Sequence, residues 1–576
     1  MRSNPVNQVD PALCPTTTIG DDLKDLGAHL ATKTANGPVR IAIDGMWGTN
    51  WERVVAELAS SLDPDRYRTL STEQALQHPE TLQHHFQAWL TDNPVFGRVC
   101  QRPLADYFDP SAFAALTQEF AQHTDVDVVF LVGPNAISPE AARVADVCLF
   151  CDLPRPDIIA AQNAGRIGSM GGLSGADPYK IAYYVEWPLL ETHRRSVLST
   201  IDYYISLHAD EPRWVHRSDL CALLRALSCR PFRCTPFFMP GVWGGHRLQA
   251  VAGISPDWPN CAWDFEIVAP ENAVCIGLRD RSITVPFSLL MSEQAGAVMG
   301  AQAVSWFGEY FPIRFNYLDT MGGTNLSCQV HPHAAYIHEH FNEPIGQDES
   351  YYIVENRSGA KVYLGFRESI SRQVFQDAVE KAEQHAVPFE IADYLNAWDT
   401  VPGDLFLIPS GTIHCSGANN LVLEISATPY WYTFKLYDYL RPDLSGKPRP
   451  INASFGFDVL DFARTTDWVK RNLMPAPVLL RRETGGSETH IGSSPLTFYG
   501  INRLDIEGTV LDDTRSSFHI LTVVAGSGVE IVSEEDPTVR IPQHYLETFL
   551  IPAQFGRYRL QAIGGACQVV KAYLKQ

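Results

Sequence analysis

Two histidines, a glutamate and a glutamine offer the clearest chemistry in this sequence. Gln329 and His331 stand two residues apart in NLSCQVHPH, Glu349 lies in GQDESYYIV and His414 in PSGTIHCSG. Two imidazoles, one carboxylate and an amide oxygen form an N2O2 set that suits zinc or another divalent first-row metal. So charge-poor a set leaves a position open for water or substrate, which points to a catalytic rather than a structural centre. One His among 18 carries no weight alone; the joint occurrence of the three clusters carries the reading.

Ligands so dispersed must be brought together by strands. Gln329 and His331 on one strand point to the same face, as ligands inside a barrel must. The stretch GDLFLIPSGTIH, residues 403–414, has Gly, Pro, Gly and His at offsets that resemble the second cupin motif, whose hairpin would turn His414 inward. Around it AKVYLGF, LVLEISATPYWYTFKLYDY, FHILTVVAG and GVEIVSE alternate apolar and polar residues as strands do. A helical insertion is expected around 370–397, and residues 486–576 read as a second, smaller set of barrel strands.

The first part of the chain has a different texture. VRIAID at 39–44 reads as a buried strand and WERVVAELASSL at 51–62 as an amphipathic helix, and VDVVFLVG and DVCLFCDL follow as strands separated by helical patterns. Strands alternating with helices imply a parallel sheet. IDGMWGTNWE at 43–52 stands where a phosphate-binding loop would, and the region to about residue 210 resembles uridine-kinase-like P-loop folds. Aligned on its glycines, the loop offers Trp51 in place of the phosphate-binding Lys and Glu52 in place of the magnesium-holding Ser or Thr, so the resemblance is to a degenerate, non-kinase module. AGRIGSMGG and YYVEWP could form a lid with Arg166 as its cation, although a structural or oligomerisation role is preferred.

The 576 residues, with 45% apolar and 19% charged, suit several globular domains. Texture changes place a flexible segment at 1–37, the α/β module at 38–230, a metal-binding cupin domain at 231–485 and a small cupin-like domain at 486–576. The fold class expected is multidomain: an α/β parallel-sheet, P-loop-like domain followed by mainly-β cupin (jelly-roll) barrels. Acidic residues outnumber basic ones by 66 to 45, and a net charge of -21 lacks the basic footprint of a nucleic-acid binder. No apolar run spans a bilayer and the N-terminus lacks a signal core, so a cytoplasmic protein with no membrane partner is expected.

FPIRFNYLDTMGGTNLSCQVHP, QDESYYIV, IPSGTIHCSG and EISATPYWYTFKLYDYLR resemble the type I mannose-6-phosphate isomerases of the cupin superfamily in order and spacing, as does MPGVWGGHRL at the start of this half. The resemblance covers roughly residues 231–576. It implies that Gln329, His331, Glu349 and His414 bind zinc, that Glu424, Lys435 and Arg441 line the same pocket, and that Ser327 and Arg441 lie near a substrate phosphate. Two positions depart from the family: Gln347 stands where a Lys is common, and Lys435 where the family has a catalytic Arg, which loses the planar fork.

The resemblance implies a metal-dependent aldose–ketose isomerase interconverting mannose 6-phosphate and fructose 6-phosphate through an enediolate. In that role Lys435 would stabilise developing charge and Glu424 would shuttle the proton, with a sugar phosphate as the partner and a homo-oligomer left open. The rival readings are a sugar-phosphate sensor or scaffold without turnover, and an iron(II) oxygenase on the same barrel.

Overall fold

Val39–Gly45 (β1) is apolar on both faces and buries both, as the central strand of a covered parallel sheet must. The computed structural model describes residues 5–33, 37–122 and 125–575. With Tyr67–Ser71 (β2), Val128–Val132 (β3), Val147–Asp152 (β4), Tyr203–Ser206 (β5) and Arg213–His216 (β6), β1 forms a sheet in the order β2-β3-β1-β4-β5-β6. All neighbours are parallel except β5 and β6. The order reverses at β1, so the loop after it opens at the switch point where α/β sheets receive ligands.

Two helices close one face of this sheet. Leu23–Ala31 (α1) is capped by Asp22, whose side chain accepts from Lys24 N, and Trp51–Leu58 (α2) by Asn50, which accepts from Arg53 N. Leu23, Leu26 and Leu30 join Val54, Val55, Leu58 and the strands in one core. This corrects the expectation of a flexible 1–37 segment: its apolar heptad-like spacing builds α1. Residues 1–4 and 34–36 of that segment lie outside the described residues.

The chain divides into two compact units, one of Val6–Leu227 with Ala273–Glu293, the other of Ser228–Asn272 with Gln294 onward. The excursion corrects the uninterrupted 231–485 domain. Ala273–Leu278 and Arg281–Pro286 form an antiparallel hairpin whose first strand pairs in parallel with Asn7–Gln8, which ties it to the first unit. Among the described residues no helix is long and apolar enough to cross a membrane.

The second unit is built from antiparallel sheets consistent with cupin-like barrels. Its strands begin with Phe237–Met239 (β7), Trp263–Ile267 (β8), Ile313–Asp319 (β9), Cys328–Val330 (β10), Glu349–Asn356 (β11) and Lys361–Phe366 (β12). Leu395–Asp399 (β13), Leu405–Ile408 (β14), His414–Ser416 (β15), Asn420–Ala427 (β16) and Phe434–Tyr437 (β17) complete the first barrel. One sheet runs β14-β11-β16-β9-β8-β7, the other β13-β12-β15-β10-β17. The expected helical insertion is Arg372–His385 followed by a single 3-10 turn, Ile391–Asp393; from Leu395 the chain returns as the edge strand β13.

The second barrel comprises Val478–Glu483 (β18), Gly486–Gly492 (β19), Tyr499–Ile506 (β20), Thr509–Asp513 (β21) and His519–Ala525 (β22). Gly528–Ser533 (β23), Arg540–His544 (β24), Thr548–Ile551 (β25), Arg557–Ile563 (β26) and Cys567–Leu574 (β27) follow. Its sheets run β18-β19-β20-β27-β22-β25 and β21-β26-β23-β24. Leu504, Leu521, Val523, Val529, Ile531, Leu560 and Val569 fill its apolar core.

Candidate metal centre

Register sets the first barrel's interior. On the second of its sheets Gln329 of β10 lies opposite His414 of β15 and Lys435 of β17. Directly paired residues share a face, so all three project to one side. On the other sheet Glu424 of β16 lies opposite Tyr351 of β11 and Asn316 of β9, and Arg314 opposite Ser426. His331 follows β10 on the same alternation as Gln329.

The two faces meet at Glu349. Its Oε2 lies 3.0 Å from His331 Nε2 and 3.3 Å from His414 Nε2. One ligand atom from each of the three falls within 4.8 Å of the others, and all three residues are buried. His331 Nδ1 donates to the Tyr432 carbonyl at 3.2 Å and His414 Nδ1 to the Thr412 carbonyl at 2.9 Å. A carbonyl only accepts, so each ring carries its proton on Nδ1 and aims an Nε2 lone pair inward, the tautomer a metal ligand needs. Gln329 presents its NH2 to these lone pairs at 3.5 and 3.4 Å; half a turn of the same amide presents its oxygen. Lone pairs from three side chains thus converge in a buried space, and the donor set fits a divalent cation.

Around this cluster lies a ring of orienting bonds. Gln347 donates to Glu349 Oε1 at 3.1 Å, while its own oxygen accepts from Tyr432 N at 3.1 Å. Both ends of this amide are therefore engaged with the protein, and it orients Glu349. Arg314, absent from the sequence reading, donates to Glu349 Oε1 at 2.6 Å and also to Glu424 Oε1. Its signal in FPIRFNYLD is the one cation of a fully buried strand. Burial pushes the Glu349 carboxyl up, but His331 and His414, whenever Nε2 carries a proton, and Arg314 more than offset this and hold it well below the usual range; a bound cation would take the place of those two protons.

Glu424 does not touch either imidazole. It accepts from Asn316 at 3.0 Å, from Ser426 at 3.0 Å and from Arg314. Burial, opposed by Arg314 and reinforced by Glu349, pushes its carboxyl up to about 7. Lys435 shares the face of Gln329, and burial with the neighbouring Arg449 brings its ammonium down to about 8.

Ser327 and Arg441 converge away from the histidines, on Asp438. Ser327 Oγ donates to Asp438 Oδ1 at 2.9 Å and Arg441 does so at 2.5 Å. Arg441 also binds Thr324 Oγ1 at 2.7 Å and the Asn325 carbonyl at 2.8 Å, so its fork is largely spent on its own loop. Arg449 pairs with the other oxygen of Asp438. Sequence reasoning missed it because GKPRPIN looks like any turn. Lys435, Arg441 and Arg449 thus surround a single buried carboxylate.

In the first unit the loop after β1 leads straight into α2, with Gly48 at φ 104°. Trp51 and Glu52 form the helix's first turn, and Trp47 Nε1 donates to the Gly168 carbonyl at 2.7 Å. Arg166 is exposed beside a cavity of about 470 Å³ shared with Arg53 and Asp157.

Residues 22–229 match a family described as a domain of unknown function, DUF8485. The second half is similar to mannose-6-phosphate isomerases. That of Streptococcus mutans serotype c is 26% identical over 305 residues, spanning 53% of this chain and 88% of that protein. ManA of Bacillus subtilis is 25% identical over 259 residues, spanning 44% and 73%. A crystal structure of the mannose 6-phosphate isomerase from Bacillus subtilis aligns over 60% of this chain and all of its own, with a TM-score of 0.49 and 22% identity. The curated relatives are enzymes of the aldose–ketose isomerase kind.

Proposed function

We propose that the first barrel is a metal-dependent aldose–ketose isomerase that interconverts mannose 6-phosphate and fructose 6-phosphate. The observation that carries this reading is the convergence of His331, Glu349 and His414 beside the inward-facing Lys435. The similarity to curated mannose-6-phosphate isomerases supports it.

Moving a proton between C1 and C2 of a sugar requires a polarised carbonyl and a stabilised enediolate. A divalent cation held by Gln329, His331, Glu349 and His414, zinc in our reading, supplies Lewis-acid polarisation when bound. Lys435 places an ammonium on the same interior face and offsets negative charge developing on the substrate oxygens. The cations around Asp438, Arg441 and Arg449 with Ser327 beside them, hold the phosphate end and fix the sugar's register. Glu424, with a carboxyl near neutrality, carries the proton.

A second reading of Glu424 rests on Arg314, which bridges it to Glu349: Glu424 then positions the metal-binding carboxylate and moves no proton. Glu424→Gln separates the two, since a proton carrier so altered loses most of its turnover while a positioning partner keeps most of it and binds metal more weakly.

For the first unit we propose a P-loop-like fold without kinase chemistry. The order β2-β3-β1-β4-β5 around a central first strand supports the fold, and Trp51 and Glu52 at the helix start support the loss. The whole protein is read as a cytoplasmic enzyme.

The test is NMR of the full chain with mannose 6-phosphate in deuterated water, before and after chelation and metal return. The proposal expects fructose 6-phosphate with deuterium at C1, deuterium at C2 of the mannose 6-phosphate re-formed from it, and loss of both on chelation. Thermal stabilisation by the sugar without exchange would replace it with a sensor, and oxygen consumption with bound iron by an oxygenase.

A further inference from the structure

The second barrel carries a polar cavity that the isomerase reading does not use. It encloses about 800 Å³, within the roughly 300–1,000 Å³ of small-molecule sites. Lys571, 5% exposed, forms its floor, with its ammonium 2.7 Å from Glu488 and 2.6 Å from Asp512. Arg481 binds Glu488 at 2.8 Å, and Asn502 donates to the same carboxylate at 2.6 Å. Tyr558 donates to Asp512 at 3.1 Å and accepts from His519 Nδ1 at 2.8 Å.

Such a network is costly. A buried ion pair is weak evidence for stability, because apolar residues of the same volume often do as well or better. One step further along the same strands the barrel interior is apolar, with Leu504, Val523 and Val569 in register with one another. Lys571 and Leu521 lie opposite each other in register and share a face, so the change from apolar to charged occurs within one barrel interior and is confined to the end that opens into the cavity.

The rim is different from the floor. Arg515 and Arg557 line the cavity and are exposed, and among the described residues neither guanidinium has a hydrogen-bond or ion-pair partner. Asp513 lies opposite Arg557 in register, but its carboxylate accepts from the backbone of Arg515 at 2.8 Å. Four cations and three carboxylates line this cavity, on a chain whose net charge is -21. Two free arginine forks suit a phosphate. A floor of alternating donors and acceptors suits hydroxyl groups, which do both.

We propose that this cavity is a second binding site, for a small phosphorylated polyhydroxy compound of the sugar-phosphate class. The phosphate is held by Arg515 and Arg557 at the rim, and the hydroxyls below by Arg481, Asn502 and Tyr573, whose hydroxyl lines the cavity 3.3 Å from Asn502 Oδ1. The site stands independently of the metal centre in the first barrel.

Calorimetric titration of the full chain tests it, with mannose 6-phosphate, fructose 6-phosphate, sorbitol 6-phosphate and inorganic phosphate as probes. Three proteins are compared: wild type, Arg515→Ala with Arg557→Ala, and Lys435→Ala with Arg449→Ala. The rim residues are exposed, so their removal leaves the unfolding temperature unchanged. At least one sugar phosphate is expected to show a binding event that the rim variant weakens at least 10-fold and the Lys435/Arg449 variant leaves in place. Inorganic phosphate is expected to bind there at least 10-fold more weakly. A rim variant that binds every probe as wild type does, no binding of any sugar phosphate, or inorganic phosphate matching the sugars would each overturn the proposal. Failure of the isomerase reading looks different: the Lys435/Arg449 variant then changes nothing while the rim-sensitive event persists.

Discussion

In the first barrel, lone pairs of His331, His414 and Glu349 Oε2 converge, and the nearest protein cation, Arg314, sits on the other carboxylate oxygen. In the second barrel an ammonium, Lys571, lies between Glu488 and Asp512, and the carboxylates are matched from within. Buried charge must be paired. One barrel pairs Arg314 with a single carboxylate oxygen and turns the other toward two imidazoles, where the proposed metal would sit, whereas the other has built its cation into strand β27. Two interiors of similar antiparallel construction thus differ in what they offer a ligand: on the proposals above, the first takes a metal and the second a molecule that meets an already neutral floor. Function follows the site rather than the fold.

The strongest way to break this comparison is at the metal centre. Removing His331 as Ala deletes a converging lone pair. Metal content by elemental analysis should fall to background and turnover by more than the roughly 10–100-fold that loss of an orienting partner costs. Lys571→Met attacks the other barrel. It leaves Glu488 and Asp512 facing each other, and denaturant unfolding should show about 3–5 kcal/mol of lost stability with metal content unchanged. A Lys571→Met protein as stable as wild type would break the comparison, because Glu488 and Asp512 would then not depend on the built-in ammonium.

Smaller effects sharpen the account. Gln347→Ala removes a bond to Glu349 without removing a ligand, and competition with a chelator should show about 10-fold weaker metal binding. The last effect is one of pH. The folded value of Lys435, about 8, lies below the roughly 10.4 of an unfolded Lys. Charging it therefore opposes folding: the penalty is in full force below about pH 8 and is relieved as pH rises from there toward 10.4. Turnover runs the other way, because it uses the ammonium and should fall as pH rises through about 8. Lys435→Arg, charged throughout, should move that alkaline limb upward in a pH–rate profile.

Much of this architecture was legible in the sequence. VRIAID, VDVVFLVG and DVCLFCDL announced a covered parallel sheet because apolar runs between helical patterns have few other solutions. The convergence of Gln329, His331, Glu349 and His414 was legible because a spacing of two keeps residues on one face and the hairpin at His414 faces the same interior. Pairings made far along the chain were not legible. Nothing local marks Ala273–Leu278 as the partner of Asn7–Gln8, so its place in the first unit was missed. Arg314 and Arg449 were missed for the same reason, since their significance lies in reaching Glu349, Glu424 and Asp438 across strands. The polarity of the second barrel was hidden because Lys571, Glu488 and Asp512 each look like a surface residue on an alternating strand.

The central claim is that the first barrel holds one divalent cation on which isomerisation depends. It is tested most directly by measuring metal per chain and mannose 6-phosphate turnover on the same samples, through chelation and stepwise metal return, for wild type and for His331→Ala with His414→Ala. The account predicts that turnover rises in proportion to metal up to one equivalent in wild type and stays at background in the variant. Turnover that persists in the chelated protein, or metal uptake that the double variant does not reduce, would contradict it.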